Sequence, residues 1–258
     1  MDGYNSWQPP GLKSSNIPGY GVAFGHWLQK PVGQKLLFLE QQRINAIVPT
    51  LFGYNAIMLG QPDFAVFLQQ STIKKRYVIN EDTSCQNLEN YTLLHSRQDR
   101  LAVGSGLIDV VCLAHCLEFA TNPHEVLREV YRVMRADGHL ILTMFNPFSL
   151  WGIWAGIAKY VHHVPWKSNF ISIVKLKDWL ALLGFDIMRV NYLGFNLPLG
   201  GKTNKLSWLE CKAQQYELPI GAVYLIEASK RVIPLTPITP VWNARPDIIA
   251  DDLTEPTA

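Results

Sequence analysis

The stretch IDVVCLAHCLEFATNPHEVLREVYRVMRADGHLILTMFNP, residues 108–147, decides the fold. It opens with an apolar, β-branched run at residues 108–113, which predicts a buried strand. Residues 122–134 carry Pro123 in their first turn, Glu125 early and Arg132 late, which suits the dipole of a helix. Asp137 and Gly138 form a turn signal, and residues 139–144 are again apolar. We therefore expect a strand, a helix and a second strand in this order.

Short apolar runs and helical patterns alternate on both sides of this unit. Further strands are predicted at residues 55–59, 76–80, 91–95, 185–192 and 222–228. Helices are predicted at residues 33–48, 63–70 and 175–183, and Gly184 after the last of them is a natural left-handed cap. The alternation predicts an α/β domain in which helices connect parallel strands.

The chain divides into three regions by composition. Residues 1–50 are interpreted as an N-terminal arm, irregular to residue 25, followed by a leading helix. Residues 51–233 form the predicted α/β domain, in which residues 148–170 are an aromatic insertion that covers the sheet or the substrate. The Pro-rich residues 234–258 are expected to be a flexible tail.

Charge and cysteine content exclude several classes of protein. There are 23 Lys and Arg residues against 21 Asp and Glu residues, so the net charge of +2 favours no nucleic-acid partner. The cysteines show no disulfide-rich spacing and no secretory leader opens the sequence, so we expect a cytoplasmic protein. Cys112, His115 and Cys116 lie close together, but further ligands at suitable spacing are missing and no metal is expected.

Several of these pieces resemble a class I S-adenosylmethionine (SAM) dependent methyltransferase, in the subgroup called type 11. The family has a strand beginning Asp-x-Val, matched by Asp109 to Val111, and a helix ending Arg-Val-Leu, matched at Arg132 and Val133. Its Pro-Gly-Gly turn is replaced here by residues 136–138, Ala-Asp-Gly. Residues 27–40 also resemble the leading helix of bacterial methyltransferase-like proteins of the YafS type.

The resemblance covers residues 52–232 and implies both a fold and a cofactor. The implied fold is a Rossmann-like sheet of seven strands, mostly parallel with an antiparallel last strand, and with helices on both faces. The implied cofactor is SAM, held by a loop that in the family reads Asp or Glu, x, Gly, x, Gly, x, Gly. The matching residues here are 58–64, Met-Leu-Gly-Gln-Pro-Asp-Phe, in which only the first glycine is kept.

The same resemblance implies the site residues. Gly60 and Gln61 would contact the cofactor from the loop. In the family an acid at the end of the second strand binds the ribose, and this chain has Asn80 there, followed by the shifted acids Glu81 and Asp82. Arg97 stands where the family has an Asp in its adenine segment, so Asp99 and Leu101 are the candidates there. His115 follows the fourth strand, where the family faces the transferred methyl group, and would act as a general base.

Two functions are preferred at this stage to a nicotinamide-dependent dehydrogenase, whose G-x-G-x-x-G signature is missing. The first is a SAM-dependent methyltransferase acting on a small acceptor, for which a hydrophobic compound is compatible with the aromatic insertion. The second is a catalytically inactive scaffold of the same fold that binds a protein partner, because Met58, Pro62 and Phe64 depart together from the family loop. A membrane surface would also suit the tryptophans of residues 148–170, but no other feature of the sequence supports it.

Overall fold

The computed structural model describes residues 20–80, 90–158, 169–195 and 219–232. Two N-terminal helices, α1 (Tyr20–Leu28) and α2 (Pro31–Ile44), precede the strands β1 (Asn55–Leu59), β2 (Lys75–Asn80), β3 (Thr92–His95) and β4 (Ile108–Ala114). The chain continues with α3 (Pro123–Val133), β5 (Met134–Phe145), α4 (Leu150–Ala158), α5 (Ile173–Leu183), β6 (Phe185–Leu193) and β7 (Val223–Lys230). Short 3-10 helices at Val48–Thr50 and Pro62–Leu68 flank β1.

The strands form one seven-stranded sheet in the order β3-β2-β1-β4-β5-β7-β6. Strands β1 to β5 pair in parallel, whereas β7 runs antiparallel to both β5 and β6. The sheet confirms the predicted Rossmann-like architecture, including its antiparallel last strand.

Alternate residues of the strands supply a hydrophobic core on each face of the sheet. On the first face Met58 and Phe145 belong to the same cluster as Phe24 and Leu36 from α1 and α2. On the second face Leu59 and Leu113 pack with residues of α3 and α5. The N-terminal helices are therefore part of the core of the domain.

The interpretation of residues 1–25 as an irregular arm is wrong from Tyr20 onward, where α1 begins. Phe24 and Leu28 are fully buried and Trp27 is almost so. Their burial against the sheet stabilises a helix that the glycines of this segment disfavour. Residues 1–19 lie outside the described residues.

Other predicted boundaries change at the ends of elements. The predicted helix at residues 63–70 is a 3-10 helix at Pro62–Leu68, and α2 begins at Pro31 and ends at Ile44, short of residue 48. Strand β5 begins at Met134 rather than residue 139, because Met134 pairs with Ile108 before an irregularity in the register. Gly184 has φ 90° and caps α5 in the left-handed conformation, as predicted.

Candidate active site at the carboxyl edge of the sheet

Three of the predicted site residues lie side by side where neighbouring parallel strands end. Leu59 pairs with Ile79 on one side and with Leu113 on the other. Gly60, which follows β1, is therefore next to Asn80 at the end of β2 and close to His115 after β4. This edge is where open α/β sheets bind their ligands.

The backbone at Gly60 admits no side chain. Its φ is 140°, and a Cβ added there would lie 2.5 Å from the carbonyl oxygen of Ala114. The glycine therefore lets the loop after β1 pass close to the end of β4.

Phe64 fills the space between this loop and α1. Its side chain is fully buried, and its ring centroid is 6.1 Å from that of Phe24 and 5.6 Å from that of His115. On the His115 side of Gly60, the edge is therefore packed with aromatic rings.

His115 lies between two buried carboxylates. Its Nε2 is 2.8 Å from Oε1 of Glu40 in α2, and its Nδ1 is 2.9 Å from Oε1 of Glu118. All three side chains are fully buried. The histidine has φ 48°, a left-handed conformation that turns the chain sharply after β4.

The charges of these three groups are strongly coupled. Burial by itself lowers the pKa of His115, but the attraction of Glu40 and Glu118 and the hydrogen bonds to both outweigh it and raise the pKa to about 10. Burial is the largest influence on Glu40 and raises its pKa, which the contact with His115 partly offsets. At neutral pH His115 is therefore an imidazolium that donates a hydrogen bond from each ring nitrogen.

Glu118 also connects β4 to β5, because its Oε1 accepts a 2.7 Å hydrogen bond from the backbone N–H of Phe145. The other carboxylate oxygens, Oε2 of Glu40 and Oε2 of Glu118, are buried and have no hydrogen-bond partner within the described part of the chain. The network of Glu40, His115 and Glu118 thus ties α2, the loop after β4 and β5 together.

The predicted adenine segment lies beside β3. The backbone N–H of Ser96 donates to the carbonyl of Asn80, so the segment begins next to the end of β2. Asp99 accepts two hydrogen bonds from the Arg97 guanidinium, of 2.9 and 2.6 Å, which hold the pKa of its carboxyl below the ordinary value. Leu101 is buried and its N–H donates to Glu129.

Of the predicted ribose ligands, Asn80 is buried at the end of β2. Glu81 and Asp82 lie outside the described residues. The structure therefore brings Gly60, Gln61 and Asn80 to one edge and sets the segment of Asp99 and Leu101 beside it. His115 is at the same edge with its ring turned into the core.

Sequence reasoning missed Glu40 as a partner of His115. A signal for it exists, since Glu40 lies four residues after Leu36 and four before Ile44, on the buried stripe of α2. A charged residue on such a stripe needs a partner. Phe24 was missed as well, because it lies in the segment taken for an irregular arm.

The sequence profile of a methyltransferase domain matches residues 44–190, more than half of the chain. The chain belongs to the methyltransferase domain family. The matched region runs from the end of α2 into β6, so it includes the candidate residues from Gly60 to His115 but not Glu40 or Phe24.

Individual relatives agree with this assignment. The uncharacterized protein YafS of Escherichia coli K12 is 25% identical over 225 residues, which are 87% of this chain and 88% of that protein. A SAM-dependent methyltransferase from Thermotoga maritima superposes with a TM-score of 0.61 at 20% identity, covering 81% of this chain and 94% of that one. A SAM-dependent methyltransferase from Archaeoglobus fulgidus has a TM-score of 0.57 at 16% identity, covering 80% and 99%. The two solved structures share the fold of this chain.

Proposed function

We propose that this protein is a SAM-dependent methyltransferase that acts on a small acceptor, with a hydrophobic compound as the favoured class. The observation that carries the proposal is the juxtaposition of Gly60, Gln61 and Asn80 at the carboxyl edge, with Asp99 and Leu101 beside it. Glycine backbone, an amide and an apolar side chain are the groups that a nucleoside needs.

The described residues fit the nucleoside half of the cofactor. Asn80 has an amide at the end of β2, Gln61 is partly exposed beside it, and Leu101 is buried in the core next to the segment of Asp99. When bound, SAM supplies a sulfonium methyl group that is displaced in line by the acceptor. The chain then has to align acceptor and methyl group and to exclude water between them.

The described residues do not fit proton abstraction by His115. Both ring nitrogens are engaged, and the raised pKa keeps the imidazole protonated at neutral pH. We therefore assign His115 a positioning role, in which it holds the turn after β4 against α2. If the acceptor has to lose a proton, a group other than His115 has to take it.

Calorimetric titration with SAM, and with its demethylated product, tests the proposal. Saturation at about one hundred times the dissociation constant should raise the free energy of unfolding by about 2.7 kcal/mol, which a thermal shift would register. Replacement of Asn80 by Ala should weaken binding about tenfold, since a hydrogen bond to a ribose hydroxyl is lost. Arg128→Ala, at an exposed position of α3, is the control.

A second candidate function is an inactive scaffold that binds a protein partner. The observation in its favour is the full burial of Phe64 against His115 and Phe24, which closes part of the family's cofactor position. Flat titrations with both SAM and its product, together with a partner that copurifies from the native cell, would support the scaffold over the enzyme.

A further inference from the structure

Residues 96–107, called the crossover below, connect β3 to β4 without an α-helix. They pass β2 and β1, because the order of the strands is β3-β2-β1-β4. Parallel strands are usually joined through a helix, whose backbone groups bond to one another. The backbone groups of an irregular crossover need partners elsewhere in the molecule. The crossover contains Asp99 and Leu101, the two candidates for contact with adenine.

Arg132, near the end of α3, supplies several of these partners. Its Nη1 donates to the carbonyl of Val103 at 2.9 Å and to Oγ of Ser105 at 3.2 Å. Its Nη2 donates to the carbonyl of Leu101 at 3.1 Å. Nε and Nη2 also donate to the carboxylate of Glu129, at 2.9 and 2.8 Å. All five N–H donors of the guanidinium are therefore engaged.

Glu129 binds the crossover as well. Its Oε2 accepts a 3.0 Å hydrogen bond from the backbone N–H of Leu101. The hydrogen bonds from Arg132 and Leu101 outweigh the effect of burial and lower the pKa of the Glu129 carboxyl. Helix α3 is fixed on the sheet through its apolar face, which includes the fully buried Val130 and Val133. The pair of Glu129 and Arg132 thus attaches both backbone groups of Leu101 to a firmly packed helix.

Other contacts hold the two ends of the crossover. At its start, Oγ of Ser96 makes hydrogen bonds of 2.8 and 3.1 Å to backbone groups of the crossover. At its end, the N–H groups of Gly106 and Leu107 donate to backbone carbonyls of α3, at 3.0 and 2.9 Å. These bonds do not involve the side chain of Arg132. Loss of that side chain should therefore release residues 101–105 and leave the ends in place.

We propose that Arg132 and Glu129 are positioning residues for cofactor binding, which hold the crossover so that the Asp99 carboxylate accepts a hydrogen bond from the amino group of adenine. This role rests on the proposed binding of SAM. A carboxylate has about four acceptor positions, and Arg97 occupies one on each oxygen of Asp99. The amino group of adenine is a donor, so the two groups are complementary.

The anchored Leu101 lies only two residues after Asp99. A shift of the Leu101 backbone would therefore move the Asp99 carboxylate away from the base. A pair that serves stability alone would behave differently. Its removal would change the fraction of folded protein, but it would not change the ratio of the affinities for two ligands that differ only in the base.

Calorimetric titration with two such ligands tests the proposal. The first is S-adenosylhomocysteine, the demethylated product of SAM, and the second is S-inosylhomocysteine, in which a carbonyl replaces the amino group of adenine. The wild type should bind the adenine form about tenfold more tightly, because one charge-assisted hydrogen bond is lost with inosine. Arg132→Ala should reduce this preference to about threefold or less. Alanine is favourable in a helix, so α3 should stay folded.

Two further variants separate geometry from charge. Arg132→Lys keeps the charge, but a single ammonium group cannot bridge Glu129 and the carbonyls of Leu101 and Val103, so the preference should fall as in Arg132→Ala. Arg128→Ala removes an exposed arginine of the same helix and should keep the wild-type preference.

Hydrogen exchange followed by nuclear magnetic resonance, without ligand, provides a second measurement. In Arg132→Ala the amide of Leu101 should exchange faster than in the wild type, whereas the amides of Gly106 and Leu107 should keep their protection.

The outcomes are distinguishable from a failure of the proposed function. If the wild type prefers the adenine form and Arg132→Ala keeps that preference, the positioning role is overturned and SAM binding stands, even where Leu101 exchanges faster. A wild type that binds both ligands equally would also overturn the role, because Asp99 would then not recognise adenine. A wild type that binds neither ligand would overturn the proposed function, and the positioning role with it.

Discussion

At the residue scale, the protonation of His115 controls how well the carboxyl edge is held together. Its folded-state pKa of about 10 exceeds the ordinary value of 6.5. The stabilisation that protonated His115 gives the folded state is therefore fully present below pH 6.5 and is lost as the pH rises through 10. Burial raises the pKa of Glu40 above its ordinary value of 4.5. Ionisation of Glu40 therefore also lowers the stability of the folded state as the pH rises above 4.5.

We predict that the urea midpoint of the wild type falls between pH 7 and pH 10 more steeply than that of His115→Gln. Glutamine keeps a hydrogen-bonding side chain but has no proton to lose in this range, so subtracting its profile removes the contribution of other titrating groups. Breaking a buried ion pair costs about 3–5 kcal/mol, so His115→Gln itself should be less stable at pH 7. Parallel profiles for the two proteins would show that His115 is neutral in the folded state.

Gly60 gives a second prediction at this scale. An alanine Cβ would lie 2.5 Å from the Ala114 carbonyl oxygen, at a φ of 140° that side chains rarely adopt. Gly60→Ala should therefore lower the free energy of unfolding by about 3 kcal/mol or more, measured by chemical denaturation.

Gly106→Ala is the matched control for Gly60→Ala, because Gly106 has a φ of 66° but nothing within 4 Å of an added Cβ. Only backbone strain of about 1–2 kcal/mol is expected there. Equal losses at the two positions would mean that the loop after β1 can move away from β4.

The sequence predicted the ends of the strands at the carboxyl edge to within one residue, because strand ends follow from local apolar runs and glycines. It did not predict the contacts of His115. Glu40 is 75 residues away along the chain and reaches the histidine only because α2 packs on the sheet. Local patterns carry no information on such a contact, although a charge on the buried stripe of α2 indicates that some partner exists.

At the element scale, the junction of α1 and α2 depends on Gly33. An added Cβ would lie 2.5 Å from the carbonyl oxygen of Trp27 and 2.6 Å from the Cα of Leu28. Alanine raises intrinsic helix stability by about 1 kcal/mol over glycine, but a clash with backbone cannot be relieved by rotating a side chain. The clash should therefore outweigh the gain in helix propensity, so that Gly33→Ala lowers the free energy of unfolding.

We predict that Gly33→Ala is destabilising and increases proteolytic cleavage between α1 and α2, measured by limited proteolysis and mass spectrometry. Gln34→Ala changes the next, exposed residue of the same helix and should be neutral or slightly stabilising. If Gly33→Ala were as stable as Gln34→Ala, the close packing of the two helices would not be needed for folding.

Strands and their order were the most predictable elements, and the segment around α1 was the least. Strand β4 is apolar at every position except Asp109, so its local pattern and its buried position agree. Helix α1 contains glycines and forms because Phe24 and Trp27 find aromatic partners on the sheet, including Phe145. Contacts with residues far away in the sequence can thus determine a helix whose own sequence shows no helical periodicity.

At the scale of the whole molecule, the N-terminal helices and the sheet share one core. Phe24, Leu36 and Ile44 belong to the same buried cluster as Met58 and Phe145. The buried charges of Glu40 and His115 link the helices to the sheet a second time. Detaching α1 and α2 would expose the apolar face of the sheet and leave a buried imidazolium without one of its carboxylates, and both effects are unfavourable.

We therefore predict that the chain unfolds in a single cooperative transition. Urea unfolding followed by tryptophan fluorescence, to which Trp27 of α1 contributes, should coincide with unfolding followed by far-ultraviolet circular dichroism. Amide hydrogens of α2 should exchange as slowly as those of β4. Faster exchange in α2, with an earlier fluorescence transition, would mean that the helices detach from a sheet that stays folded, in which case the Glu40 contact to His115 would be too weak to hold the edge.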